Sequence, residues 1–405
     1  MNAAAEPTAP LPAPLPSGER IEALDVLRGV ALLGIFIMNM PGFTHSLFTP
    51  PVPGPGGVDA LVVALRDVFF AGKFNLLFGL LFGIGFTLQL GRLQAARPGS
   101  GVALVLRRLA VLLAIGLVHA ALVWPGDVLV VYAVLGFALV AARRVGDRAL
   151  LALLVLCLVF PAAWEAARPL LFSFETETVA AFEYQNFEAT NAAAFGAGSF
   201  VDAMRESARM FAWGYSSPLG LYSYTAFYVQ MATGIVLGTL VGRRRWVERI
   251  DALQRPIRRA HGVAGIVALA AGTAWLGLGG AAGDPFVGNA AAMLARTVGR
   301  AALMVFYALS VVRLLGVAPA RQWLRPFALA GRMPLSNYLL QTLLATFVFY
   351  GWGLGLWGRA TPLIEVLLAT TLFFLVQLPL SAAWLARFRY GPVEYLWRRL
   401  TYGRV

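Results

Sequence analysis

The chain is predicted to be an all-α, polytopic integral membrane protein with about ten transmembrane helices, and three observations carry that reading. Apolar residues make up 59% of its 405 positions and charged residues 13%, about half the roughly 25% charged share of a soluble domain. The apolar residues come in long runs, each near the ~20 residues needed to cross a ~30 Å hydrocarbon core. Basic residues concentrate in alternate gaps between the runs, as the Lys and Arg bias of cytoplasmic loops requires.

Taken in order, residues 1–20 are rich in Pro and Ala, without a basic leader region or a cleavage site behind an apolar stretch. They read as a disordered cytoplasmic tail, with the first span retained as a signal anchor. An N-terminal five-helix half, 21–171, follows with spans at 23–41, 74–91, 102–123, 128–142 and 149–171. Residues 172–218, where Glu175, Glu177, Glu183, Glu188, Asp202 and Glu206 alternate with aromatics, read as an extracytoplasmic loop, either a binding surface or a helix lying on the bilayer. A C-terminal five-helix half, 219–405, has spans at 219–241, 261–280, 293–315, 328–350 and 363–386 and ends in a cytoplasmic tail. Placing the N-terminus inside puts 25 of the 33 basic residues on one side, so both termini are expected in the cytoplasm.

The net charge of +13 would suggest nucleic acid in a soluble protein, but here it marks the cytoplasmic face, and no nucleic-acid partner is expected. Cys157 is the single cysteine. It permits no intrachain disulfide and no thiolate metal cluster, and no histidine metal motif or phosphate loop occurs either.

Ionisable groups inside apolar runs must be paired or hydrated, which makes them candidate functional residues. Asp25 and Arg28 stand three residues apart at the start of the first span, close enough to pair on a helix. His119 lies near the outer end of the third span, and Asp127 follows eight residues later across Trp124-Pro125-Gly126. That spacing can set a carboxylate beside an imidazole, as a general base and its orienter require. A plain interhelical hydrogen bond is the structural alternative.

The 328–350 run carries a polar stripe of Arg332, Ser336, Asn337, Tyr338, Gln341 and Thr342, read equally as a binding face and as helix-to-helix glue. Arg300, one turn after Arg296, is too deep to snorkel easily and calls for an acid or an anionic ligand, with Glu165 and Glu365 available. His119, Asp127 and Arg300 are expected to converge on one outward-opening cavity. Gly79, Gly83 and Gly85 give the second span a small-residue face for close helix approach.

Four stretches together resemble one family. Leu24-Asp25-Val26-Leu27-Arg28-Gly29, the His119 to Tyr132 region with Gly126-Asp127 and Tyr132-Ala133, and Gly391-Pro392-Val393-Glu394-Tyr395-Leu396-Trp397-Arg398 resemble the YeiB-like bacterial membrane proteins. Gly331-Arg332-Met333-Pro334-Leu335-Ser336-Asn337-Tyr338 resembles the signature of that family's C-terminal domain of unknown function. The likeness implies a multi-pass protein of the bacterial cytoplasmic (inner) membrane. The family in turn is distantly similar to the transmembrane acyltransferase superfamily, which implies an acyl-CoA donor from the cytoplasm, a membrane histidine and an acceptor on the far side.

On that resemblance the chain moves an acyl group from acyl-CoA to a carbohydrate or lipid-linked acceptor at the outer face. His119 and Asp127 would be catalytic, and Asp25, Arg28, Arg300, Asn337, Tyr338 and Gln341 would bind substrate, without a metal. Membrane lipid and a second copy of the chain are the other partners considered. The alternative reading is a transporter or exporter of a small or lipid-linked molecule, which buried charges and glycine-rich spans suit equally.

Overall fold

The computed structural model describes residues 22–47, 56–96, 100–279 and 289–403. The 1–20 tail and part of the 41–59 loop lie outside these residues. Among the described residues every regular element is helical: α1 (Glu22–Thr44), α2 (Gly57–Phe69), α3 (Lys73–Ala96), α4 (Gly101–Leu122), α5 (Leu129–Ala141), α6 (Asp147–Leu171), α7 (Phe174–Asn191), α8 (Phe200–Ser216), α9 (Pro218–Arg243), α10 (Gln254–Gly277), α11 (Ala290–Leu315), α12 (Ala318–Gly331), α13 (Pro334–Phe349), α14 (Pro362–Leu372), α15 (Leu378–Arg387) and α16 (Pro392–Tyr402).

Eight helical segments among the described residues are long and apolar enough to cross a membrane: α1, α2 with α3, α4, α6, α9, α10, α11, and α14 with α15. Their outer surfaces fit hydrocarbon. α6 exposes Leu151, Val155 and Leu156, and α10 exposes Val263, Ile266 and Leu269, side chains that a helix in water would turn toward the core.

Two of the expected spans are shorter than a span. α5 has 13 residues and α13 has 16, or about 20 and 24 Å at a rise of ~1.5 Å per residue. The 328–350 run is split because α12 ends at Gly331 and Pro334, which has no N–H to lose, opens α13. α13 buries one broad face, including Ser336, Asn337, Tyr338, Gln341 and Thr342, and exposes Leu343 and Phe347 on the other. A helix set largely among other helices need not match the thickness of the lipid. Residues 172–218 form α7 and α8 rather than an irregular loop, joined by a π-helical turn at Ala192–Ala197. Ser173 caps α7, and Ser199 with Asp202 forms a capping box on α8.

Glycine lets the helices meet backbone to backbone. A Cβ at Gly83 of α3 would stand 2.2 Å from the Ile235 carbonyl oxygen of α9, and one at Gly238 would stand 2.0 Å from that of Leu80. α1 crosses α12 as closely, since a Cβ at Gly331 would lie 1.8 Å from the Asp25 carbonyl oxygen. The two halves of the chain are therefore interleaved. Glu22 pairs with Arg321, Gln89 Nε2 donates to Tyr402 Oη at 2.7 Å, and Trp397 Nε1 donates to the Arg108 carbonyl at 2.8 Å. These contacts gather both described ends at one end of the bundle, hereafter the terminal end. At the far end, Gly351 N donates to Phe195 O at 2.7 Å and Gly358 N to Thr44 O at 2.8 Å, which closes the bundle beneath the α7–α8 region.

Candidate functional site

The last turn of α4 carries His119, and the short connection to α5 folds Asp127 back against it. That connection is pinned by Trp124, whose Nε1 donates to the Gly42 carbonyl at 3.0 Å and whose ring lies 4.3 Å from Phe43. His119 Nδ1 and Asp127 Oδ2 are 2.7 Å apart, both residues are buried, and Asp127 Oδ1 accepts the Val130 N–H at 2.8 Å. With both carboxylate oxygens accepting, Nδ1 carries a proton, and in the neutral imidazole Nε2 is the nitrogen left with a lone pair. Nε2 faces Thr342 Oγ1 of α13 at 3.1 Å. The Tyr338 ring, one turn earlier on α13, lies 5.3 Å from the imidazole.

Tyr338 also forms part of the wall of a 1460 Å³ cavity, larger than the ~300–1,000 Å³ of ordinary ligand pockets. Its inner walls are apolar: Leu32, Ile35, Leu81, Leu112, Val128, Leu129 and Tyr132. Toward the terminal end it gains Arg28, Arg92, Arg108, Arg332, Arg389 and Arg398, against the carboxylates Asp25 and Glu394. Both acids are engaged by protein. Arg28 Nη1 donates to Asp25 Oδ1 at 2.7 Å. Glu394 accepts the N–H groups of Leu335 at 2.7 Å and Ser336 at 3.1 Å and the Ser336 hydroxyl, which caps the unsatisfied amides opening α13. Burial pushes the Glu394 carboxyl up from its ordinary range, and those hydrogen bonds oppose the shift. The Arg108 guanidinium lies 3.6 Å above the Trp397 ring, a cation–π contact that fastens α16 over the cavity's rim.

The four stretches singled out in the sequence thus surround one space. The opening run supplies Asp25 and Arg28, the central region supplies Val128 and Tyr132, and the two C-terminal stretches supply Arg332, Tyr338, Glu394 and Arg398. Gly29 and Gly331 bring the first and third together at the α1–α12 crossing. Gly85 faces open space in the wall, where a Cβ would meet only Arg28 Nη2, at 3.8 Å.

Asn337 and Gln341 act differently from Tyr338. Asn337 Nδ2 donates to Ala330 O and Ser381 Oγ, at 3.1 and 3.0 Å, while Gln341 Nε2 donates to Leu32 O and Gln377 Oε1, at 3.2 and 2.9 Å. Their amides clamp α13 to α1, α12 and the π-turn Phe373–Gln377, and neither residue lines the cavity. Arg300 does not join His119 and Asp127. Its Nη1 reaches Gln230 Oε1 at 3.4 Å, and the large cavity lies on the terminal side of His119, where sequence reading expected an outward opening. Neither proposed acid pairs with Arg300: Glu365 holds Arg66 at 2.8 Å and Thr44, and Glu165 accepts from Tyr222 Oη at 3.2 Å. The reason is topological, since neither distance nor order along the chain shows which helices are neighbours.

Sequence reading passed over Glu394 as a site residue and named Thr342 in the polar stripe without placing it opposite His119. Glu394 lies within the Gly391–Arg398 motif, which could have marked it.

A family described as "Protein of unknown function (DUF418)" matches residues 241–404. The chain is 32% identical to the uncharacterized protein YxaH of Bacillus subtilis (strain 168), with 96% of each chain covered. It is 29% identical to an uncharacterized 39.9 kDa protein from the amylase 3'region of Bacillus acidopullulyticus, again over 96% of each chain. It is also 29% identical to the uncharacterized protein YeiB of Escherichia coli (strain K12), over 95% of this chain and 96% of that one. Near full-length similarity to these proteins, with the four stretches assembled around one cavity, makes the chain a member of the YeiB-like family of membrane proteins.

Proposed function

We propose that this protein is a ten-span acyltransferase of the bacterial inner membrane, with its terminal end in the cytoplasm, that moves an acyl group from a cytoplasmic acyl-CoA to a carbohydrate or lipid-linked hydroxyl delivered from the far side. The orientation follows from the basic residues gathered at the terminal end. One observation carries the chemistry: a large cavity, cationic at its terminal end and apolar within, ends at Tyr338 and Val128, the immediate neighbours of an Asp127–His119–Thr342 chain. A donor with phosphates at one end and a thioester tail at the other fits that gradient. Arginine suits phosphate because its planar fork donates in pairs.

In the reaction His119 Nε2 takes the proton of the acceptor hydroxyl as its oxygen attacks the thioester carbonyl. The C–S bond breaks, an ester forms, and the imidazolium returns the proton to the leaving thiolate. Asp127 holds the tautomer and stabilises the transient imidazolium, while Thr342 marks the place of the acceptor hydroxyl. On this reading the aromatic cover at Phe43 and Trp124 opens to admit the acceptor.

Purified protein with labelled acyl-CoA and candidate glycan or lipid acceptors tests the proposal. His119→Ala should lower turnover by roughly 10²–10⁴-fold, and Arg28→Gln should raise KM for the donor with little change in kcat. Full activity in His119→Ala would remove the proposed base. Substrate counterflow in proteoliposomes without acyl donor would favour the transporter reading instead.

A further inference from the structure

At the far end, away from the cavity, three cations from two helices meet around the hinge between α2 and α3. Lys73 is 5% exposed, and its Nζ donates to the Asp67 backbone carbonyl at 2.7 Å. Arg300 reaches Gln230 with one long hydrogen bond of 3.4 Å, and its Nε is buried with no partner. Arg296, one turn earlier on α11, lies over the Trp275 ring at 5.6 Å. Gly72, at φ 78°, brings the hinge against this group, since a Cβ there would stand 3.1 Å from Arg300 Nε. Asp67 is the one carboxylate within electrostatic reach of all three cations, and among the described residues none of the three forms an ion pair with it.

Three formal positive charges against one negative, in helices that cross lipid, leave an excess that protein groups do not balance. Such charge is retained in membrane proteins where something pairs with it. Guanidinium groups one helical turn apart, with an ammonium opposite and the positive end of α3 beside it, are suited to a tetrahedral oxyanion. We infer that Lys73, Arg296 and Arg300 form a binding site for a phosphate group, separate from the cavity at the terminal end. Lipid headgroups and soluble phosphates share this chemistry.

Native mass spectrometry of the full-length protein in detergent, with added phosphatidylglycerol or phosphatidylcholine, tests the lipid source. Thermal melting in inorganic phosphate against chloride at matched ionic strength tests the soluble source. Retention of phosphatidylglycerol over phosphatidylcholine, reduced at least tenfold in Arg296→Gln/Arg300→Gln and unchanged in Arg205→Gln, a change at an exposed arginine of α8, would establish a headgroup site. A phosphate-specific rise in melting temperature that the double variant loses, without lipid preference, would establish a soluble ligand. If the double variant does not fold, Lys73→Gln alone should weaken the same signal several-fold. Equal binding of the two lipids together with no phosphate response, or signals that these substitutions leave unchanged, would overturn the site.

Discussion

At the scale of single residues, the imidazole is held at both ring nitrogens, by Asp127 and by Thr342. Asp127→Asn can keep the Val130 cap through its amide oxygen, yet an NH₂ facing Nδ1 favours the other tautomer and turns an N–H toward Thr342. Acyl transfer should then fall by roughly 10²–10⁴-fold while the melting temperature changes little, as a thermal scan beside the activity assay would show. Asp127→Ala should also unfold more readily, because it leaves the Val130 and His119 N–H groups unpaired in a buried place, at about 1–3 kcal/mol each.

Glu394 gives a pH dependence. Burial raises its pKa in the folded state, so the folded protein binds this proton more tightly than the unfolded chain. Its contribution to stability is therefore greatest at low pH, declines as pH rises from the ordinary Glu range through the raised value, and is level above it. Trp397 fluorescence against pH should follow that slope. Glu394→Gln should abolish the slope and keep α16 docked, whereas Glu394→Ala should release it. The Asp25–Arg28 pair was legible in the sequence because three-residue spacing on a helix fixes the distance, and His119 with Asp127 because a tight turn does the same. Thr342, on a distant helix, had no local spacing to place it opposite the imidazole.

Among the elements, the α1–α12 crossing sets the cavity's dimensions at its terminal end. The atom facing Gly331 is a backbone carbonyl, which cannot swing aside. Gly331→Ala should cost about 1–3 kcal/mol through overpacking, read as a lower melting temperature. Gly85→Ala, with space around it, should be neutral or slightly stabilising, since helical Ala is preferred to Gly by about 1 kcal/mol. The apolar runs announced most helices, but a run reports burial without saying whether lipid or protein supplies it. For that reason α5 and α13 read as ordinary spans, although at 13 and 16 residues each is shorter than the other membrane helices. The capping residues Ser173, Ser199 and Asp202 could have marked α7 and α8 as helices. Their acidic and aromatic alternation left a binding surface and a helix lying on the bilayer equally open.

For the whole molecule, sidedness is open to direct measurement. In a Cys157→Ser background, exposed positions on α7 and α16 serve as reporters: Glu175→Cys should react with an impermeant maleimide only from outside intact cells, and Arg399→Cys only after permeabilisation. Reaction of both from the same side would reverse the proposed topology. The cavity also bears on the membrane potential. On the proposed reading, with water and salt entering the cavity as far as Tyr338, the potential would fall mainly over the partition between Tyr338 and the far surface. A charge crossing the full drop exchanges about 2.3 kcal/mol per 100 mV. An anionic donor entering from the terminal end would cross little of the field, whereas a proton passing between His119 and the far side would cross most of it. Donor affinity should therefore be indifferent to voltage, while any step that sends charge through the partition would be driven or held back by the energised membrane.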